Sequence, residues 1–190
     1  MKYLIIARFD DDTDAALCRM KENAASKQSE LFSDSSDWPP HITLAAYEDV
    51  DIRALRSHVS KITERFPVTD ITLDSLGVFN HGAEHDTDVI YLAPSPTPAF
   101  CGLYWSFHSK LDDFCGNYGR AYTAEGAIPF HSTLTVCPKD DFSRIFDTLR
   151  DGFTPISAQI RSIEIYENPK KPIAVYRLRG AKQKRIQIYA

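Results

Sequence analysis

Two short stretches of the chain, PPHITL at 39–44 and PFHSTL at 129–134, each set a histidine two residues before a threonine. Side chains on an extended strand alternate between faces, so His41 and Thr43 share one face while Ile42 and Leu44 point to the other. His131 and Thr133 share a face in the same way, opposite Ser132 and Leu134. Each motif therefore puts an imidazole beside a hydroxyl, on a strand whose entry is stiffened by Pro39 and Pro40 or by Pro129. Two such pairs in one cleft suit phosphoryl displacement. A neutral imidazole can take a proton from an attacking hydroxyl or water, while a charged one gives a proton to the leaving oxygen. The threonine hydroxyls can donate to the non-bridging phosphate oxygens, where charge concentrates in the transition state. The motif does not say which histidine is acid and which is base.

One His-x-Thr alone is weak evidence, because a strand histidine is ordinarily a packing residue. Its repetition carries more. PPHITLAAYEDVDIRALRSHV and PFHSTLTVCPKDDFSRIFDTL superimpose without a gap at an offset of 90 residues. His41 falls on His131, Thr43 on Thr133, Leu44 on Leu134 and Asp51 on Asp141; Ile52, Leu55 and Val59 fall on Phe142, Ile145 and Leu149. The likeness continues, with small gaps, from SLGVFN to SIEIYEN, where Phe79 matches Tyr166. A period this long is not that of a solenoid. It predicts one domain over residues 1–190 made of two halves, the His41 half and the His131 half, related by a pseudo-twofold axis that brings both motifs into one cleft.

The elements that must position these residues follow from periodicity. Alternation predicts strands over Tyr3–Phe9, His41–Tyr47, Val68–Phe79, Val89–Ala93, Ser132–Cys137, Ile156–Tyr166 and Ile173–Leu178, with a further candidate at Ile186–Tyr189. Asp51 opens a helix whose apolar face is Ile52, Leu55, Val59, Ile62 and Phe66, and Pro98 opens another bearing Phe100, Leu103, Tyr104, Phe107, Leu111 and Phe114. A third helix follows Pro138, and a fourth is expected near Thr13–Lys27, while the polar segment Ser29–Pro40 reads as a loop.

PPHITL and PFHSTL, with LGVFN, DVIYLAP and the YWSFHSKL helix between them, resemble the 2H phosphoesterases, and most closely the bacterial 2′,5′-RNA ligase-like and 2′,3′-cyclic phosphodiesterase branch. The resemblance spans nearly the whole chain in order. It implies an α+β fold of two pseudo-symmetric lobes, with antiparallel sheets flanking a central groove and helices outside. It also implies metal-independent hydrolysis or transfer at cyclic or 2′-linked phosphates, with no cofactor. Carried over by residue, His41 and His131 are the acid/base pair and Thr43 and Thr133 the phosphate donors. Three positions depart from the usual pattern: Phe130 before the second histidine, Ser132 between histidine and threonine, and Val136, where many relatives carry Arg or Tyr. The expected activity is opening of 2′,3′-cyclic phosphates on nucleotides or RNA ends, with reversible 2′,5′ ligation as a companion reaction. A small non-RNA cyclic phosphate, or mere binding of RNA termini, are the alternatives. A proton-transfer pair argues against mere binding.

The remaining residues bound this reading. Phe79, Tyr91 and Tyr166 can wall the groove and stack on a base, with core packing as the alternative for each. Arg8 is the early candidate for a phosphate contact. His81 and His85 flank a glycine in a hairpin loop, a poor geometry for a metal pair, and His58 and His108 read as packing or surface residues. No Gly-rich phosphate loop, nucleophile elbow or zinc spacing is present. The four cysteines lack framework spacing, and Cys101 and Cys115 fall in one expected helix. A net charge of −4 argues against indiscriminate binding to long nucleic acids, although Asn168–Ala190 holds seven Lys/Arg and no acid, a local basic surface. MKYLIIARF reads as a first buried strand and no apolar run approaches membrane-spanning length, so a cytoplasmic monomer is expected.

Overall fold

Short apolar runs with period-two alternation become strands, and stripes of period 3.6 become helices. The computed structural model describes residues 2–29, 38–48, 50–80, 86–111, 130–167 and 171–181. Along the chain these form β1 (Lys2–Phe9), α1 (Asp11–Ala25), β2 (His41–Glu48), α2 (Ile52–Thr63), β3 (Thr69–Asn80), β4 (Thr87–Pro94), α3 (Pro98–Leu111), β5 (Ser132–Pro138), α4 (Lys139–Asp151), β6 (Ile156–Glu167) and β7 (Lys171–Arg177). The expected strand at Ile186–Tyr189, the His81–His85 loop, most of Ser29–Pro40, and Phe114 and Cys115 lie outside the described residues.

The helices start where capping chemistry lets them. Asp10 accepts from the Thr13 amide at 3.0 Å and opens α1 directly after β1, two residues ahead of the expected start. Asp51 accepts from the Arg53 amide at 2.7 Å and opens α2. Asp141, its partner in the repeat, does a different job. It lies inside the first turn of α4, is buried, and accepts from the Ser29 amide at 2.6 Å and the Ser29 hydroxyl at 2.7 Å, tying the end of α1 to α4. Those bonds lead in holding its carboxyl below the ordinary range.

All strand pairings within the sheet are antiparallel, and the order is β2-β1-β6-β3-β4-β5, with β7 on β6. The order is a palindrome of the repeat: exchanging β1 with β4, β2 with β5 and β3 with β6 returns the same sequence of strands. The pseudo-axis therefore runs between β6 and β3. Each half lends its last strand to the other: β6 completes the lobe begun by β1 and β2, and β3 completes the lobe of β4 and β5. Although they end opposite sides of this path, β2 and β5 lie against each other. The sheet curls round and brings its two His-x-Thr strands together.

The bulges obey the same symmetry. Against β1, strand β2 carries one extra residue at Leu44, and against β4, strand β5 carries one at Leu134. A second matched pair is Arg161 in β6 and Asp74 in β3. Such insertions re-aim a strand and steepen its twist. Here one sits immediately after each motif threonine. Leu44 and Leu134 are buried in the common core with Ile5, Leu55, Val59, Phe100, Phe107, Ile145 and Leu149, while His41, Thr43, His131 and Thr133 remain partly open. Burying a side chain of Leu or Phe size stabilises by roughly 1.5–3 kcal/mol, so the apolar residues flanking each motif hold its strand in place. Cys18, Cys101 and Cys137 are free thiols. No helix among the described residues is long and apolar enough to cross a membrane.

Candidate active site

His41 stands opposite Arg8 across β1 and β2, and Thr43 stands opposite Ile6. In the other lobe Thr133 stands opposite Tyr91 and Ser132 opposite Leu92. Ile6 and Tyr91 are therefore equivalent floor residues, an aliphatic one beneath the first motif and an aromatic one beneath the second. No hydrogen bond to the hydroxyl of Thr43 or Thr133 is formed by the described residues, so both remain available as donors.

The His41 ring is fixed by its own entry turn. Its Nδ1 lies 2.7 Å from the Pro39 carbonyl, which can only accept, so Nδ1 carries the proton and Nε2 is the basic nitrogen. Burial is the main cause that pushes its pKa down to about 4; the Pro39 bond opposes this, and the charges of Arg8, Lys21 and His131 add to it. His41 and His131 thus belong to one electrostatic site. The Trp38 ring centroid lies 5.5 Å from that of His41 and 5.2 Å from that of Tyr166. Lys21, buried in α1, donates to the Trp38 carbonyl at 2.5 Å and holds this segment down.

Arg8 is a brace as well as a charge. Its guanidinium donates to the Pro40 carbonyl, pairs with Asp14 at 2.9 Å and reaches Glu164 at 3.7 Å. Burial raises the Glu164 carboxyl, with Arg8 pulling the other way. Burial, followed by the Glu164 charge, pushes the Tyr166 hydroxyl up to about 12, so this phenol stays neutral.

The second motif sits against aromatic rings. Phe79 and Tyr91 stack at 4.2 Å, and His131 meets Phe79 edge-on at 4.8 Å and Tyr91 at 5.3 Å. This packing needs Gly77, because a Cβ there would overlap the Tyr91 ring. A strand glycine often marks such an approach. Phe130 anchors the entry to β5 between Phe100 and Tyr104, at 4.8 and 4.7 Å.

The walls are crossed. Phe79, from the first half, flanks the second histidine, while Tyr166, from the second half, reaches the first through Trp38. Helices cross likewise: His108 of α3 places Nε2 2.9 Å from the carbonyl of the Leu44 bulge, and Gln28, after α1, donates to Thr135 and Val136 of β5. His108, read from sequence as a packing or surface residue, is buried and pins the bulge.

The structure therefore gathers His41, Arg8 and Tyr166 in one lobe and His131, Phe79 and Tyr91 in the other, each set beside its threonine. Sequence reasoning passed over Trp38, although its place directly before Pro-Pro-His was a signal, and over Lys21 and Glu164, which had none. The arrangement offers an acceptor nitrogen, a second imidazole, two hydroxyl donors and an aromatic wall.

A sequence comparison with curated proteins finds no match. Solved structures share the fold. A Thermus thermophilus protein, TT0787, superimposes with a TM-score of 0.56 at 12% identity over 96% of this chain and 100% of that one. LigT of E. coli complexed with 3′-AMP gives 0.54 at 14% over 93% and 97%. Usb1 of Kluyveromyces marxianus with uridine monophosphate gives 0.51 at 9% over 93% and 97%. The family profile of the 2′-5′ RNA ligase superfamily matches residues 9–172, nearly the whole span of the repeat. With both His-x-Thr strands inside that span, the chain belongs to this superfamily, the 2H phosphoesterases.

Proposed function

We propose that this chain is a metal-independent phosphodiesterase that opens 2′,3′-cyclic phosphates on nucleotides or RNA ends. The same groups would also support reversible 2′,5′ ligation, with a 5′-hydroxyl in place of water, and the protein would act as a cytoplasmic monomer. The observation that carries the reading is the meeting of two bulged His-x-Thr strands at the pseudo-axis, with the Pro39 carbonyl fixing the His41 tautomer so that Nε2 is the acceptor. Acyl or glycosyl transfer would ask for a nucleophile or a carboxylate pair in this position; two imidazoles and two hydroxyls suit a phosphate. That LigT is complexed with 3′-AMP and Usb1 with uridine monophosphate supports a nucleotide as the ligand.

In the forward direction His41 Nε2 takes a proton from water as the water oxygen bonds to phosphorus. His131, protonated, gives its proton to the ribose oxygen as the ring P–O bond breaks, leaving a phosphomonoester. Thr43 and Thr133 donate to the non-bridging oxygens, and the base stacks on the Phe79–Tyr91 wall. Arg8 holds the Pro40 carbonyl and supplies positive charge beside His41. Chelator-treated protein incubated with the four nucleoside 2′,3′-cyclic monophosphates, with products separated chromatographically, tests this. Monoester formation is expected; turnover that needs added divalent ion, or no turnover of any of the four, overturns it.

A further inference from the structure

Each motif histidine has an aromatic neighbour, but the two neighbours come from different places in the chain. Beside His131 the wall is Phe79 stacked on Tyr91, with the imidazole edge-on to Phe79. Tyr91 stands opposite Gly77 as Ile6 stands opposite Glu164, so the pseudo-twofold puts Ile6 in the place of Tyr91 and Tyr166 in the place of Phe79. An aliphatic side chain cannot supply the second ring of a wall. Trp38, which lies outside the repeated strands, supplies it instead. Its ring centroid is 5.2 Å from that of Tyr166 and 5.5 Å from that of His41.

Trp38 is clamped where it stands. Lys21 donates to its carbonyl, Arg8 donates to the carbonyl of Pro40, and the Pro39 carbonyl accepts from His41 Nδ1. The two prolines that follow have fixed φ, so the turn between Trp38 and His41 has little freedom. Tyr166 is buried against the tryptophan, while the Trp38 ring itself is partly exposed. The nearest carboxylates, Asp14 and Glu164, face Arg8. The outcome is a rigid, uncharged, partly open ring beside the imidazole that receives a proton. Rings of this kind stack on nucleobases whatever the base, because every base has a π-face.

We propose that Trp38, backed by Tyr166, is the stacking platform for a second nucleoside, the one whose 5′-hydroxyl attacks the cyclic phosphate or leaves in the reverse direction. The proposal rests on the functional reading above and deepens it: the preferred substrates carry a nucleoside on each side of the reacting phosphate. The roles of the histidines decide which nucleoside goes where. The nucleoside bearing the cyclic phosphate lies on the Phe79–Tyr91 wall, beside His131, which protonates its ribose oxygen. The entering nucleoside lies on Trp38, beside His41. Its 5′ oxygen bonds to phosphorus as the hydroxyl proton passes to His41 Nε2. The P–O3′ bond breaks, O3′ takes the proton of His131, and a 2′,5′-phosphodiester remains. In reverse the ribose 3′-hydroxyl attacks phosphorus, giving its proton to His131, and the 5′ oxygen leaves with the proton of His41.

The test measures kcat/KM of wild type, Trp38→Phe and Trp38→Leu on 2′,5′-linked adenylyl-adenosine and on adenosine 2′,3′-cyclic monophosphate, and takes the ratio of the two. Trp38→Leu is expected to lower that ratio about tenfold, the size of one lost base–aromatic stack, and Trp38→Phe to keep it within about threefold. A tryptophan that merely shields His41 would lower both rates together, and an unchanged ratio in Trp38→Leu overturns the platform. Fluorescence supplies a readout that leaves Trp38 in place and needs no turnover. The chain has two tryptophans, and Trp105 is 44% exposed on α3, so Trp105→Phe makes Trp38 the sole emitter. The probe is 3′-deoxyadenylyl-(2′,5′)-adenosine, which lacks the attacking hydroxyl. It is expected to quench Trp38 saturably and more deeply than adenosine 2′-monophosphate; equal quenching by the two refutes the proposal. If wild type turns over neither substrate the functional reading has failed, yet the deeper quenching by the dinucleotide still upholds the platform.

Discussion

Replacing Gly77 by alanine drives a methyl group into the Tyr91 ring, because the ring lies directly over the position a Cβ would take. Strand β3 is tied to β4 from Leu73 to Asn80, Gly77 included, and to β6 from Thr69 to Leu73, so the backbone has little room to withdraw. The ring must therefore tilt away, and in tilting it leaves the 4.2 Å stack on Phe79 and the contact with His131. Overpacking of a fitted site costs typically 1–3 kcal/mol, and losing an aromatic pair costs about 0.5–1.5 kcal/mol. Alanine fits a strand backbone better than glycine, which returns a few tenths. A net loss of about 2–3 kcal/mol is expected, or roughly 5–10 °C in melting temperature for a chain of this size. Thermal unfolding followed by circular dichroism measures it, and the decisive comparison is a cycle with Tyr91→Leu. On the Tyr91→Leu background, Gly77→Ala should be nearly neutral. An equal loss on both backgrounds would show that Gly77 is needed for its backbone alone, and the reasoning from the ring would fall.

Thr43→Val and Thr133→Val keep the β-branched shape the strand prefers and remove a hydroxyl, so each should leave the melting temperature nearly unchanged while costing about 2–4 kcal/mol of transition-state stabilisation; steady-state kinetics checks both. His108→Leu strips the partner from the carbonyl of the Leu44 bulge, which is expected to cost about 1–3 kcal/mol in denaturant unfolding and to lower turnover with it. Stability should also depend on pH through His41. Its folded pKa of about 4 lies below the ordinary histidine value, so the unfolded chain binds the proton first. The stabilisation from this histidine is complete above about pH 6.5 and is lost progressively as the pH falls toward 4, by up to about 3 kcal/mol. His41→Gln should flatten that part of the profile, and a variant that tracks wild type from pH 7 to 4 would refute the assignment.

Much of the fold was legible in the residues. Alternation located β5 as Ser132–Cys137 against an observed Ser132–Pro138 and β6 as Ile156–Tyr166 against Ile156–Glu167, because one buried face forces period two. Likeness between SLGVFN and SIEIYEN marked β3 and β6 as equivalent, but likeness names equivalents and not partners. That each strand crosses to the other lobe depends on long-range pairing that no local pattern encodes. The bulges were hidden for a related reason. Leu44–Ala45 and Leu134–Thr135 read as ordinary apolar steps, and only pairing to β1 and β4 shows one residue too many. Asp51 and Asp141 align perfectly, yet only Asp51 caps its helix while Asp141 accepts from Ser29, since what a carboxylate accepts is decided by which donors lie near it. The site was legible to the extent that it repeats. Trp38 and Lys21 serve only the first motif, and the contrast between Arg161 and Asp74 emerges only once the symmetry is known.

The central claim is that one histidine from each half forms a single proton-transfer unit. Measuring kcat/KM for His41→Ala, His131→Ala and the double variant on one cyclic mononucleotide addresses it most directly. Each single variant should fall by about 10²–10⁴-fold, and the double variant should fall by less than the product of the two, because groups that act as a unit are not additive. An aryl phosphodiester, whose leaving group needs little protonation, should rescue His131→Ala and not His41→Ala. Near-normal turnover by either single variant would contradict the account, leaving the repeat as a record of ancestry and packing.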